Sequence, residues 1–112
     1  MTMSRAVPST ASVPFPKPPK RIVDPEAGKR KLALDAKCRI CQERASDGHH
    51  VLLRSQRGDD LEDNIVPLCR ECHRRYHDGK GDIRLSLDEK LYVLTKLGQG
   101  AGMAYLERRR YV

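Results

Sequence analysis

The chain has 112 residues, enough for one domain, with 22 Lys and Arg against 15 Asp and Glu and a formal charge of +7. No stretch approaches membrane-spanning length and no apolar run follows Arg5, so neither a membrane protein nor a secretory leader is expected and a cytoplasmic location is. The charge is uneven: residues 1–37 carry eight basic against three acidic side chains, residues 38–80 eight of each, and residues 81–112 six against four. A basic flank beside a neutral centre suggests a nucleic-acid partner, although such tails also serve solubility alone.

Six of the seven prolines fall within residues 8–25, with Ser, Thr and Lys between them and no periodic apolar face. Residues 1–30 therefore read as a disordered, Pro-rich basic arm carrying Arg5, Lys17, Lys20, Arg21, Lys29 and Arg30. The folded domain is expected over 31–112. It has no Trp and one Phe to draw on, so its core is thin and a staple is expected.

In chain order, 29–41 reads as a short helix or turn, and "HHVLLRS" (49–55) as a strand. The stretch 56–64 reads as a loop whose acids Asp59, Asp60, Glu62 and Asp63 face solvent. Pro67 makes "IVPLC" (65–69) an edge or bent strand. "RECHRRYHD" (70–78) reads as a helix stopped by Gly79 and Gly81. Ser86 and Glu89 form a capping box ahead of a packing helix with Leu87, Leu91, Leu94 and Leu97 at near-helical spacing and Gly98 at its end. A further helical turn is expected over 104–109.

Cys38-x2-Cys41 and Cys69-x2-Cys72 are two chelating hooks. In a reducing cytoplasm such paired hooks signal a structural, tetrahedral Zn2+ site rather than disulfides. The 27 residues between them exceed the usual ribbon spacing, so the hooks enclose an insert. A classical two-Cys, two-His finger is excluded, because His73 follows Cys72 directly where that fold needs about twelve residues. All four histidines, His49, His50, His73 and His77, lie in or beside the insert. His73 and His77 stand at i and i+4 and share a helix face, with Arg70 and Arg74 flanking it. On a regular strand His49 and His50 would point to opposite faces, so they share a cleft only if the strand bends or the cleft lies along its edge.

The combined pattern C-x2-C, HHV, N-I-V-P-L-C-x2-C-H-x3-H resembles the HNH endonucleases that carry a zinc knuckle, common in phages and restriction systems. The resemblance covers about Cys38 to Gly79. It implies an α+β, zinc-stabilised ββα-metal fold and metal-dependent hydrolysis of DNA, by nicking or double-strand cleavage, with 5′-phosphate and 3′-hydroxyl products. It makes His50 the general base, His49 and His73 ligands of a catalytic divalent ion, and Asn64 the residue that steadies the loop and the base. His77 falls on a position that is a ligand in some members and a helper in others. Arg54, Arg70 and Arg74 are candidates for DNA phosphates.

Many family members carry Asp or Glu where His49 stands. The all-imidazole set here should suit Zn2+, Ni2+ or Mn2+ at least as well as Mg2+. Low sequence specificity is expected, since no major-groove reading helix is evident. The resemblance also makes a phage packaging terminase a candidate partner. The oligomeric state and the biological occasion are not legible. The rival reading is a non-catalytic zinc module that binds nucleic acid or a protein; it needs the cysteines and the basic flank but not His49, His50 or Asn64. A third is a scaffold whose Pro-rich arm docks on a partner.

Overall fold

The computed structural model describes residues 21–112, and these form four helices and one two-stranded sheet. Helix α1 (Ala27–Leu34) leads into the first cysteine pair. Strands β1 (Asp47–His50) and β2 (Ile65–Leu68) pair antiparallel, with Gly48 opposite Pro67, His49 opposite Val66 and His50 opposite Ile65. Helix α2 (Arg70–His77) follows β2 at once, and α3 (Leu87–Leu97) and α4 (Gln99–Arg108) close the chain. The ββα unit at the centre and the packing helix are those expected of an α+β fold.

The first strand is displaced from its expected position. It ends at His50 instead of running to Ser55. Val51 and Leu52 turn inward and are fully buried, and their amides bond to Asn64, through its carbonyl (2.9 Å) and its side-chain oxygen (2.8 Å). One asparagine thus replaces the ladder that a longer strand would have used. The remainder of the expected strand becomes a short 3-10 turn at Arg54–Gln56.

The expected arm, residues 1–30, is described only in its last ten residues. Its residues 1–20 lie outside the described residues, but 21–30 are packed on the domain. Ile22 and Asp24 donate their amides to Asp59 and Asp60 (2.7 and 2.9 Å), and α1 begins at Ala27. Of the basic side chains assigned to the arm, Arg21 pairs with Asp60, Lys29 with Glu26, and Arg30 with Asp24 and Glu62. Proline content marks where a helix cannot form; it does not register the acidic loop that receives this segment.

The capping box of α3 is present: the Ser86 side chain accepts from the Glu89 amide, and the Glu89 carboxylate accepts from the Ser86 amide. Only half of the leucine stripe packs on the core: Leu94 and Leu97 are partly buried against it. Leu87 is 71% and Leu91 48% exposed, whereas Val93 and Glu89 are fully buried. The buried side of α3 is rotated towards Glu89, because this carboxylate joins three parts of the fold. It accepts from Lys31 of α1 (2.7 Å) and from both terminal nitrogens of Arg39 in the first cysteine hook (2.6 and 2.7 Å). Gly98, at φ +88°, makes the sharp joint to α4, which starts at Gln99 rather than near Ala104.

Burial would raise the Glu89 pKa, but the bonds from Arg39, Lys31 and the Ser86 amide outweigh it and hold the carboxyl below its ordinary range. Glu89→Ala should destabilise the domain by about 3–5 kcal/mol at neutral pH, because two buried cations lose their common anion. A urea midpoint measured for both proteins checks this. Since the folded-state pKa is the depressed one, the difference between variant and wild type should shrink as pH falls through the acid range.

Candidate active site

The four thiols come together as the sequence implies. The sulfurs of Cys38, Cys41, Cys69 and Cys72 all lie within 4.8 Å of one another. Each hook also binds its own sulfur through an amide: Ile40 N–H to Cys38 Sγ and Cys72 N–H to Cys69 Sγ, both at 3.4 Å. The second of these bonds makes Cys69 the N-cap of α2, so the knuckle sets where the helix starts. Burial would raise the Cys38 pKa, but the amides of Cys41, Cys69 and Ile40 prevail and bring it to about 7. Four sulfurs with N–H donors on them fit a tetrahedral thiolate metal site, of which zinc is the usual occupant.

The second cluster is made by β1 and α2. Ligand nitrogens of His49, His73 and His77 lie within 4.8 Å of one another. His49, only 4% exposed, points from β1 onto α2, where His73 and His77 sit one turn apart with ring centres 4.8 Å from each other. His73 Nδ1 meets Asp47 Oδ2 at 3.1 Å, and this contact is the main cause holding Asp47 below the usual carboxylate pKa. An ionised carboxylate only accepts, so His73 Nδ1 donates, and in the neutral ring Nε2 holds the lone pair. That lone pair faces His49 Nδ1 at 3.2 Å.

His49 Nε2 lies 2.8 Å from the buried hydroxyl of Tyr111, which has Val51 O within 3.4 Å as a second partner. A hydroxyl can donate or accept, so either tautomer of His49 is satisfied. Burial first, then the charges of His73, His77 and Arg109, push the His49 pKa down to about 3. It is therefore a neutral imidazole with a nitrogen available to an ion. Carboxylate-to-histidine-to-ligand relays such as Asp47–His73 are the usual outer support of a metal site, and three protein donors leave positions for water and substrate.

His50 lies beside this cluster and not within it. His49, His50, Arg54, Ser55, His73 and His77 line one open cleft of about 410 Å³. The strand ends at His50, and both histidines line the cleft at that end. The His50 Nε2 meets Asp60 Oδ1 at 2.8 Å.

Asn64 is fully buried and belongs to the loop: it donates to Leu52 O and Asp59 O (3.0 and 2.9 Å) and accepts from the Leu52 amide. It touches both ends of the loop next to His50, while the described contact to His50 itself is made by Asp60. The loop also folds tightly on the strand end, since a Cβ on Gly58 would sit 1.7 Å from Leu52 O.

Arg54 is exposed at the cleft, 3.8 Å from Asp60, and Arg70 is exposed, 3.7 Å from Asp47. Arg74 is exposed on α2. Two of the four loop acids overturn the expectation of a solvated turn, while Asp63 is exposed as expected and Glu62 is half-buried. Asp59 and Asp60 are 5% and 3% exposed, and Asp59 is held by the Tyr92 hydroxyl (2.7 Å) and Lys96 (2.9 Å) of α3. Sequence reading missed Asp47, Asp60 and Tyr111. Asp47 stands two residues before His49 on the same strand face, a signal that period two could have given; Tyr111 is 62 residues from His49 and left no local trace.

No helix among the described residues is long and apolar enough to cross a membrane. Residues 38–79 match the family model described as HNH endonuclease. A protein of Nostoc sp. (strain PCC 7120) named anaredoxin is 35% identical over 52 residues. The match covers 45% of this chain and 66% of that protein, just under two thirds of its length. The family match opens at the first cysteine of the knuckle and closes at the glycine after α2, so the matched region holds both side-chain clusters whole; the likeness to HNH endonucleases over this region supports metal binding and a nuclease-related function in general.

Proposed function

We propose that the domain is a metal-dependent endonuclease that hydrolyses DNA phosphodiester bonds with little sequence preference. The observation that carries this reading is the cleft itself: three imidazole donors within 4.8 Å of one another, with a fourth histidine on the same rim. His49, His73 and His77 would hold one divalent cation, Zn2+, Ni2+, Mn2+ or Mg2+. That ion supplies charge neutralisation for the scissile phosphate and its leaving oxygen. His50 takes the proton from the attacking water as general base. Asn64 fixes the loop that frames His50, and Arg54, Arg70 and Arg74 contact phosphates on either side. Zn2+ in the cysteine cluster clamps β2 and α2 to the first hook. A packaging terminase stays a candidate partner through resemblance alone.

The test is conversion of supercoiled plasmid by the full-length protein with Mg2+, Mn2+, Ni2+ or Zn2+ added singly, against an EDTA control. Relaxed or linear product with at least one metal, and none with EDTA, is the expected result. DNA binding without cleavage in all four metals would favour the non-catalytic zinc module.

A further inference from the structure

We propose that Asp60 is a positioning residue for His50, fixing its ring so that Nε2 carries the proton and Nδ1 presents the lone pair. The inference rests on the reading of His50 as general base and adds the group that prepares it.

The loop carboxylate is placed before it meets the histidine. Its Oδ2 accepts from the Asp24 amide at 2.9 Å, its Oδ1 from Arg21 at 3.3 Å, and its own amide donates to Ile22 O at 2.8 Å. Residues 21–24 thus run along the loop as a strap that fixes the carboxylate in two directions. Asp60 is 3% exposed, so water does not compete for these bonds. The other hydrogen bond of Oδ1 is with His50 Nε2 at 2.8 Å.

Burial alone would raise the Asp60 pKa. The Asp24 amide, His50, Arg21 and Arg54 together outweigh it and keep the group ionised. An ionised carboxylate has no hydrogen to donate, so Nε2 must be the donor in this pair. In a neutral imidazole the single lone pair then lies on Nδ1. Without Asp60 the ring could turn about χ2, which has a broad two-fold profile, and would sample both tautomers. A base that is in the reactive tautomer and orientation for a fraction of the time lowers kcat by that fraction and leaves substrate binding alone.

No other described side chain bonds to His50. Arg54 is too exposed and too distant from the carboxylate, at 3.8 Å, to substitute for the strap. The arrangement also gives the otherwise unexplained burial of an acid beside a proposed DNA cleft a function: Asp60 spends its charge on Arg21 and His50, not on the phosphate.

The experiment has two arms on the full-length, zinc-loaded protein. In the first, 15N NMR of the imidazoles at mildly alkaline pH, with His50 assigned by its loss in His50→Ala, reads the tautomer directly. Wild type should show a protonated Nε2 and a bare Nδ1, and Asp60→Asn should show a mixture. In the second, Asp60→Asn should lower kcat for plasmid nicking several-fold, in line with the fraction of reactive tautomer and orientation that the first arm reads. KM, zinc content and metal affinity at the histidine cluster should stay at wild-type values at a temperature where the variant is folded, and Asp60→Glu should recover part of the rate.

A wild-type His50 protonated on Nδ1 overturns the proposal, even if Asp60→Asn does not fold. So does an Asp60→Asn protein with wild-type kcat. Wild-type nicking by His50→Ala would remove the base itself, and the NMR arm separates that failure from a failure of the Asp60 contact.

Discussion

Cys69→Ser should unfold the domain. The residue contributes a sulfur to the four-thiol cluster, caps α2 by accepting the Cys72 amide, and opens the helix by accepting the His73 amide on its carbonyl at 2.9 Å. A serine hydroxyl can replace the cap, since Ser is a good N-cap residue. What it cannot replace is the fourth thiolate. Structural zinc in small domains contributes about 10–16 kcal/mol, as much as or more than the total stability of about 5–15 kcal/mol typical of folded domains. The described core consists mainly of single aliphatic residues from short elements, such as Val51, Leu52, Val66, Leu68 and Ile83, with tyrosines around them. It has little surplus with which to absorb the loss. Circular dichroism melting with zinc quantification should show a featureless transition and substoichiometric zinc for the variant, and a strong chelator should do the same to wild type. An unchanged transition with full zinc content in Cys69→Ser would take the cysteine cluster out of the stability of this fold.

The parts of the site that were legible in the sequence are those whose chemistry is written in residue type and short spacing. Two CxxC hooks, a histidine pair, and His73 and His77 at i and i+4 are local signals, and the structure brings the cysteines into one cluster and three of the histidines into another. The capping box at Ser86 and Glu89 was legible for the same reason. The rest depends on partners far away in the chain. The strand was read too long because Val51 and Leu52 have β-type side chains; a buried asparagine, 12 residues from Leu52, takes their ladder.

Glu89 was read as a cap and is also the anion for Lys31 and Arg39, at separations of 58 and 50 residues. The leucine spacing of α3 marked a packing helix but not which leucines pack; Leu94 and Leu97 meet the core while Leu87 and Leu91 stay exposed, because the buried charge cluster at Glu89 turns the helix. Asp59 and Asp60 were read as solvated because an acidic run usually is. Their burial comes from Tyr92, Lys96, Arg21 and the Ile22 and Asp24 amides, none of them near in sequence.

His50→Ala should abolish nicking while folding, zinc content and DNA binding persist. The side chain is partly exposed at the strand end, and its described hydrogen bond is the one to Asp60. The backbone pairing of His50 with Ile65 does not need the ring, and Asp60 keeps the Asp24 amide and Arg21 when the ring is gone. Removal therefore leaves no unpaired buried charge. The chemical step should lose about 10²–10⁴-fold, the usual share of a general base, which corresponds to roughly 3–5 kcal/mol of transition-state stabilisation.

His49→Ala and His73→Ala should fail differently. His49 is buried against Tyr111 and His73, and His73 is tied to Asp47, so each variant weakens the cation cluster and leaves the base in place. A titration of nicking rate against added metal separates the two cases. The ligand variants should regain rate at high metal concentration, whereas His50→Ala should stay flat at every concentration. Wild-type activity in His50→Ala would mean that the proton acceptor lies elsewhere. Recovery of His50→Ala by excess metal would place His50 among the ligands instead.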